Sequence, residues 1–350
     1  MKGDRMKSGR MKPGLAIALG AWLLLQSAAA FDLQGHRGAR GLAPENTLPA
    51  FERALAIGVT TLELDVAITR DGVLVISHDP ALNPEITRGP DGQFLRAPGP
   101  LIHHHSLAEL RRFELGRIKP GSRYAAQFPD QVAVDGTRLA TLAELFAMVR
   151  RSGNEIVRFD IETKVSPLAP ADTLAPEPFA RALIAAIREA GMASRSTIQS
   201  FDWRTLQLVQ REAPDIATVY LSAQQPWLDN IGAGSATDSP WTAGWRYRDH
   251  GSVPKLVQAA GGRTWAAYFG DLDAAAVQQA HALGLQVLAW TVNDPAQIAR
   301  LMDLGVDGLI SDRPDRVRAE MARRGLALPP TTLPVAPPVA PSVAPSVKPP

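Results

Sequence analysis

Along most of the chain, short β-branched apolar runs alternate with longer stretches whose apolar positions recur at helical spacing. Nine stretches read as strands: Asp32–His36, Thr61–Ile68, Val73–Ser77, Ile156–Thr163, Thr197–Ser200, Ala217–Leu221, Thr264–Phe269, Gln286–Thr291 and Gly308–Ser311. The runs Thr47–Ile57, Leu142–Arg151, Pro178–Ala190, Trp203–Glu212, Leu272–Leu283 and Pro295–Leu304 read as helices. Gly58, Gly153, Gly191, Gly284 and Gly305 follow five of them, as helix C-termini prefer. Strand–helix alternation predicts an α/β fold with a parallel sheet.

Nine strands are one too many for a closed eight-stranded barrel, and turn chemistry identifies the extra one. Thr61–Ile68 and Val73–Ser77 are joined only by Thr69-Arg70-Asp71-Gly72. So short a link permits an antiparallel hairpin and forbids a parallel crossover. The other eight can then run parallel, which predicts a TIM (β/α)8 barrel with a hairpin arm at its second strand. A turn centred on Arg70-Asp71 would set Glu63 across from His78. Two stretches break the repeat and are expected as insertions on the C-terminal face of the barrel. One is 80–141, rich in Pro, Gly and charge; the other is 222–262, carrying Trp227, Trp241, Trp245 and Tyr247.

The two ends have a different character. Lys2, Arg5, Lys7, Arg10 and Lys12 precede an apolar run from Leu15 to Leu25 and the small residues Ala28-Ala29-Ala30. This is the pattern of a cleavable secretory signal over residues 1–30, cut after Ala30, and its core is too short to span a bilayer. A periplasmic or secreted protein without a transmembrane span in its mature form is expected. From 326 the chain is dominated by Pro, Ala, Val, Ser and Thr, so 326–350 is expected as an extended tail on a barrel domain of 31–325.

Charge and composition narrow the partners. The formal charge of +2 belongs to the leader: without it Lys plus Arg falls from 37 to 32 and Asp plus Glu from 35 to 34, leaving −2. Nucleic acid is therefore not an expected ligand. The chain has no cysteine, which excludes disulfides, a lipidated cysteine and thiolate metal sites. Nothing in the pattern points to a protein partner.

The candidate chemistry lies at predicted strand ends. Glu63 and Asp65 stand two apart on one strand and share a face, while Leu62, Leu64 and Val66 take the other. With the apolar parity turned outward, the two carboxylates point into the barrel, where they would repel unless a cation or proton joined them. Asp160, Glu162 and Lys164 alternate in the same way with Phe159 and Ile161. Glu162 can complete an oxygen-rich site with Glu63 and Asp65, suited to Ca²⁺ or Mg²⁺ rather than zinc or copper. A structural Glu162–Lys164 ion pair is the competing reading. His36 and His78 both end strands and can serve as an acid–base pair. Arg37 offers a bidentate fork to a phosphate. Asn46 or Thr47 can cap the helix after Pro44-Glu45. Trp290 could wall a pocket or simply pack, and His103-His104-His105 reads as solvated loop.

Taken in order, His36-Arg37-Gly38, Glu45-Asn46-Thr47, Glu63-x-Asp65, His78-Asp79, Ile161-Glu162-x-Lys164, Gln199-Ser200-Phe201 and Trp290-Thr291-Val292-Asn293 resemble the glycerophosphodiester phosphodiesterases, most closely a secreted or periplasmic branch, from about Leu33 to Pro314. The departures are small: Thr163 stands where an aliphatic residue is common, and Ser311-Asp312 where Thr-Asp is usual. The resemblance implies a barrel of the phospholipase C-like phosphodiesterase type and a divalent ion on Glu63, Asp65 and Glu162. It implies His36 and His78 as general acid and base, with Arg37, Glu45 and Lys164 positioning substrate and phosphate. The activity implied is metal-dependent hydrolysis of glycerophosphodiesters, such as glycerophosphocholine and glycerophosphoethanolamine, to sn-glycerol 3-phosphate and an alcohol. Two alternatives stand beside it: a phospholipase-type enzyme acting on intact lipid head groups, and an exported binding protein without turnover.

Overall fold

In the computed structural model, which describes residues 30–332, the alternation closes into a barrel. In chain order the strands are β1 (Asp32–Gly35), β2 (Thr61–Ile68), β3 (Leu74–Ile76), β4 (Arg158–Thr163), β5 (Ser196–Ser200), β6 (Ala217–Ser222), β7 (Gln224–Gln225), β8 (Leu228–Asp229), β9 (Thr264–Tyr268), β10 (Gln286–Trp290) and β11 (Gly308–Ser311). Eight of them run parallel, and β1 closes the ring by pairing with both β2 and β11. The expected leader, apart from Ala30, and the expected tail beyond Thr332 lie outside the described residues. Among the described residues no helix is long and apolar enough to cross a membrane.

Parity does the sorting. Leu62, Leu64 and Val66 of β2 share one buried apolar layer with Phe51, Leu145, Phe146 and Phe159. Fully burying each such side chain stabilises the fold by roughly 1.5–3 kcal/mol, which holds the opposite, polar parity inside the barrel. The helix Leu48–Ile57 starts at Thr47, whose hydroxyl accepts from the Ala50 N–H, and ends at Gly58 with φ +85°. Thr47, not Asn46, is the cap, which leaves Asn46 for another task.

Strand β3 folds back antiparallel on β2, with Val66 opposite Ile76 and Ile68 opposite Leu74. The turn is tighter than the four-residue link suggested. The Thr69 N–H donates to the Val73 carbonyl at 3.0 Å, so three residues form the loop and Gly72 takes φ +79°. This moves the register by one. Leu64, not Glu63, is level with His78, which lies beyond the end of the ladder.

The 80–141 insertion contains the short helices Leu107–Leu110 and Arg123–Gln127. It has its own small core of Leu82, Ile102, Leu110, Leu115 and Leu139, packed on Ala67 and Val75 of the hairpin. The second irregular stretch is shorter than 222–262. The antiparallel pair β7–β8 puts Pro226-Trp227 at its tip, and an irregular segment leads to the short helix Tyr247–His250. The seven-residue helix Val253–Ala259 then fills the ordinary place between β6 and β9. A final helix, Pro314–Arg323, follows β11. The first residues of the expected tail rest on the barrel: Arg318 donates to the Pro329 carbonyl at 2.6 Å, and the Thr332 N–H to the Leu55 carbonyl at 2.9 Å.

Gly38, in the turn after β1, is fixed by geometry. Gly38 has φ +86°, and a Cβ there would lie 2.6 Å from the Ala50 carbonyl carbon. Gly72 has a similar φ but open space around it. Gly72→Ala should therefore cost about 1 kcal/mol of backbone strain, and Gly38→Ala at least about 1–2 kcal/mol more through overpacking. Denaturant midpoints of the two variants measure the difference; equal losses would show that the turn after β1 is free to shift.

Candidate active site

Sequence-predicted groups meet at the C-terminal ends of β1, β2 and β4. Immediately after β1 the chain turns through His36, Arg37 (φ +51°) and Gly38. The turn is pinned to β2, since the Arg37 N–H donates to Glu63 Oε2 at 2.8 Å and the Gly38 N–H to the Glu63 carbonyl at 3.3 Å. Asn46, at φ +54°, donates from Nδ2 to Asp65 Oδ2 at 2.9 Å. The helix start that sequence offered as a cap thus supports an acidic cluster instead.

That cluster is Glu63, Asp65 and Glu162. In the β2–β4 ladder Asp65 is level with Glu162, and Glu63 lies two residues earlier on the same face. The three are buried, and an oxygen from each lies within 4.8 Å of the others. Among the described residues this is the one group of three or more acidic, histidine or cysteine side chains that could hold a metal ion. At that spacing two unit charges repel by about 3–4 kcal/mol at an effective dielectric of about 20, so three ionised carboxylates need compensation. Part of it is present. Lys164 Nζ lies 2.8 Å from Glu162 and 3.7 Å from Asp65, Arg37 Nε lies 3.3 Å from Asp65, and Gln199 donates to Glu63 at 2.7 Å. The Glu162–Lys164 pair foreseen as a competing reading therefore exists, but inside the cluster rather than in place of it.

Compensation is incomplete, and the proton affinities show it. Burial and then the neighbouring Asp65 hold Glu63 well above the ordinary carboxylate range. Burial pushes Glu162 up to about 7 despite Lys164. Burial would raise Asp65 too, but Arg37, His78 and Lys164 together hold it well below its usual value. Asp65 Oδ1 is buried and makes no hydrogen bond. A hard divalent cation fits this set: the donors are all carboxylate oxygens, one makes no hydrogen bond, and burial raises the proton affinity of two.

The imidazoles flank the cluster. His36 Nδ1 lies 2.6 Å from Asp312 Oδ1, which leaves Nε2 directed toward the cluster, 3.9 Å from Glu63 Oε2. Asp312 is itself fixed by Arg40 through both oxygens, at 2.8 and 3.2 Å, and by Asn293 at 2.7 Å. Arg40 and His36 keep its carboxyl far below the carboxylate range. Burial, with Arg40 adding to it, lowers His36 to about 4, so the ring is neutral at neutral pH. His78 Nδ1 lies 2.7 Å from Asp79 and is lowered by burial, then by Arg37 and Lys164. The two differ in access: the His78 side chain is 34% exposed and that of His36 12%.

Seven of the nine expected residues line one cavity of about 460 Å³: His36, Arg37, Glu63, His78, Glu162, Lys164 and Trp290. Asp65 sits just behind its wall. Glu45 does not face the cavity. One of its oxygens accepts from Arg37 at 2.7 Å and the other from the Tyr124 hydroxyl, so it positions Arg37 instead of meeting a phosphate. Trp290 both packs, against Phe201 at 5.3 Å, and lines the cavity. The 103–105 histidine tract lies away from the site, with His105 bonded to the Leu101 carbonyl. Asp312, Arg40 and Tyr124 were not anticipated. Ser311-Asp312 was visible only as a motif variant, and no local signal marks Arg40 or Tyr124.

Comparison with known proteins places this arrangement. Residues 36–316 match the glycerophosphoryl diester phosphodiesterase family. A glycerophosphodiester phosphodiesterase from Caldanaerobacter subterraneus subsp. tengcongensis is 26% identical over 294 residues, 83% of this chain and 97% of that one. A solved structure from Silicibacter pomeroyi, provisionally assigned as a glycerophosphoryl diester phosphodiesterase, is 35% identical with a TM-score of 0.76, covering 85% of this chain and 95% of its own. The fold is shared also with an Oleispira antarctica phosphodiesterase solved in complex with the product sn-glycerol-3-phosphate, with a TM-score of 0.58, 22% identity, and coverage of 83% and 96%.

The raised carboxyls carry a sign that can be measured. Ligation needs carboxylates, and Glu162, pushed up to about 7, keeps its proton at pH 6, with Glu63 shifted in the same direction, so binding of Ca²⁺ or Mg²⁺ should release protons there. Without the ion, the folded state holds more protons at these two groups than the unfolded chain. The contribution of Glu162 to stability then falls as pH rises from 4.5 through about 7, and that of Glu63 changes in the same sense. His36 and His78 act in the opposite sense below pH 6.5, so the ion-dependent difference is the quantity to follow. Calorimetric titration in buffers of different ionisation enthalpy should show heat that depends on the buffer at pH 6 and much less at pH 8.5. Buffer-independent heat at pH 6 would contradict the assignment.

Proposed function

The chain belongs to the glycerophosphoryl diester phosphodiesterase family and is a phosphoric diester hydrolase, and from that premise we propose that it cleaves glycerophosphodiesters such as glycerophosphocholine and glycerophosphoethanolamine to sn-glycerol 3-phosphate and an alcohol. The reading includes export through the leader and action in the periplasm or outside the cell. One observation carries the chemistry: a buried acidic triad has two of its members, Glu63 and Glu162, lining one cavity with two uncharged imidazoles. The product complex of the Oleispira antarctica phosphodiesterase, on the same fold, supports the choice of product.

Glu63, Asp65 and Glu162 would hold Ca²⁺ or Mg²⁺, which when bound supplies a Lewis acid to draw charge from a phosphoryl oxygen. Arg37, braced by Glu45, and Lys164 place positive charge for the remaining phosphate oxygens. His36 is neutral, and Asp312 holds its Nδ1 proton, so its Nε2 can accept a proton from the attacking oxygen. Asp312 also stabilises the imidazolium that results. His78, nearer solvent, returns a proton to the oxygen of the departing alcohol, and Asp79 steadies its ring.

Intact-lipid hydrolysis remains as a second reading because Trp227, which lines the cavity, is 58% exposed. Preference for vesicles over soluble diesters would favour it.

Purified protein with Ca²⁺ or Mg²⁺ should release glycerol 3-phosphate from glycerophosphodiesters. Glu63→Gln and His36→Ala should each lower kcat/KM by about 10²–10⁴. Asp312→Asn, which keeps the shape but not the charge, should lower kcat about tenfold or more with KM little changed. The reading falls if no diester yields glycerol 3-phosphate with either ion, or if the variants match wild type.

A further inference from the structure

The cavity has two unlike halves. The ends of β1, β2, β3 and β4 supply its charged side, from His36 to Lys164. Beyond Lys164 the lining turns apolar and aromatic: Phe201 after β5, Leu221 of β6, Trp227 and Trp241 of the second insertion, and Trp290 of β10. Trp290 is the hub of the wall. Its ring centre lies 5.3 Å from Phe201, 6.2 Å from Trp227 and 5.6 Å from Tyr268, and the ring planes stand 64–87° apart. Steep angles make a concave aromatic surface rather than a flat stack. In this half, among the described residues, there is no lysine or arginine, and the one charged residue is Asp172. Asp172 makes no salt bridge with any described residue.

A diester whose phosphate meets the charged half sends one of its two arms toward the aromatic half; the glycerol hydroxyls call for hydrogen-bond partners, which the charged half supplies, and that leaves the aromatic half to the alcohol. We propose that this wall, with Asp172, is the subsite for the departing alcohol and selects alcohols that carry a quaternary ammonium group; this rests on the hydrolase reading above. A primary ammonium brings three N–H donors, and apart from Asp172 and the hydroxyls of Ser166, Thr173 and Thr291 this half presents rings and alkyl groups that cannot accept them. A trimethylammonium group has no donor to satisfy, presents apolar methyls, and spreads its charge over a surface that aromatic faces attract. Asp172 adds a carboxylate with no cationic partner. The tip of β7–β8, which carries Trp227, belongs to none of the sequence motifs that mark the reaction, so it is free to set preference without disturbing the chemistry.

The test compares kcat/KM for glycerophosphocholine with that for the glycerophospho-3,3-dimethylbutyl ester, the neutral carbon isostere, and with glycerophosphoethanolamine. The choline ester should exceed both by roughly tenfold. That ratio should shrink at least threefold in Trp227→Ala and in Asp172→Asn, while Trp227→Phe, which retains a ring face, keeps most of it. Trp227 is largely exposed, so its loss should leave the fold intact. Turnover of all three esters at equal rates would overturn the proposal and spare the hydrolase reading. A preference untouched by Trp227→Ala and Asp172→Asn would place the subsite elsewhere and overturn it as well. Failure to turn over any ester would remove the hydrolase reading, and this proposal with it.

Discussion

Three buried carboxylates with oxygens within 4.8 Å of one another cannot all carry charge in the mouth of a barrel unless positive charge joins them. Much of the site is organised by that constraint. Arg37 and Lys164 lean in from either side, Asn46 and Gln199 donate hydrogen bonds, and the backbone after β1 offers its N–H groups to Glu63. Even so, two of the three carboxyls are held above their ordinary range. The protein thus maintains an arrangement that is unfavourable by itself and that the proposed divalent cation would relieve. A cluster kept only for stability would be replaced more simply by apolar residues, since buried charge adds little net stability.

Barrel and triad were legible from the sequence because both depend on periodicity two and on local spacing. Glu63, Asp65 and Glu162 face inward since Leu62, Leu64, Phe159 and Ile161 must face the helices. The β2–β3 hairpin followed from a link too short to cross over. Its register did not, because the left-handed Gly72 shortens the loop to three residues and shifts the pairing by one. The helix Val253–Ala259 escaped notice because it is short and emerges from an irregular aromatic segment. Asp312 was invisible as a partner for a different reason: 276 residues separate it from His36, and only the closing pair of β1 with β11, level at Gly35 and Ser311, brings them together. The same applies to Tyr124, which reaches Glu45 from an insertion. Contacts made by closure leave no local trace.

The division of the cavity follows from strand order. β1, β2 and β4 are contiguous in the ring and deliver the charged groups, while β5, β6 and β10 bring the aromatic wall. Reaction and recognition therefore sit on different arcs of one barrel. The histidines belong to the first arc and are supported differently: His36 by a hydrogen bond to Asp312 deep in the closing seam, His78 by an adjacent aspartate in a half-buried loop. In the mechanism proposed above, unequal support would suit unequal tasks, with one ring fixed to accept a proton and the other serving the departing group.

The most direct test of this account is a crystal structure of the mature protein grown with Ca²⁺, using anomalous scattering to locate the ion. The account predicts one ion bonded to oxygens of Glu63, Asp65 and Glu162. An ion bound elsewhere, with those three carboxyls paired only to Arg37, Lys164 and other protein groups, would contradict it.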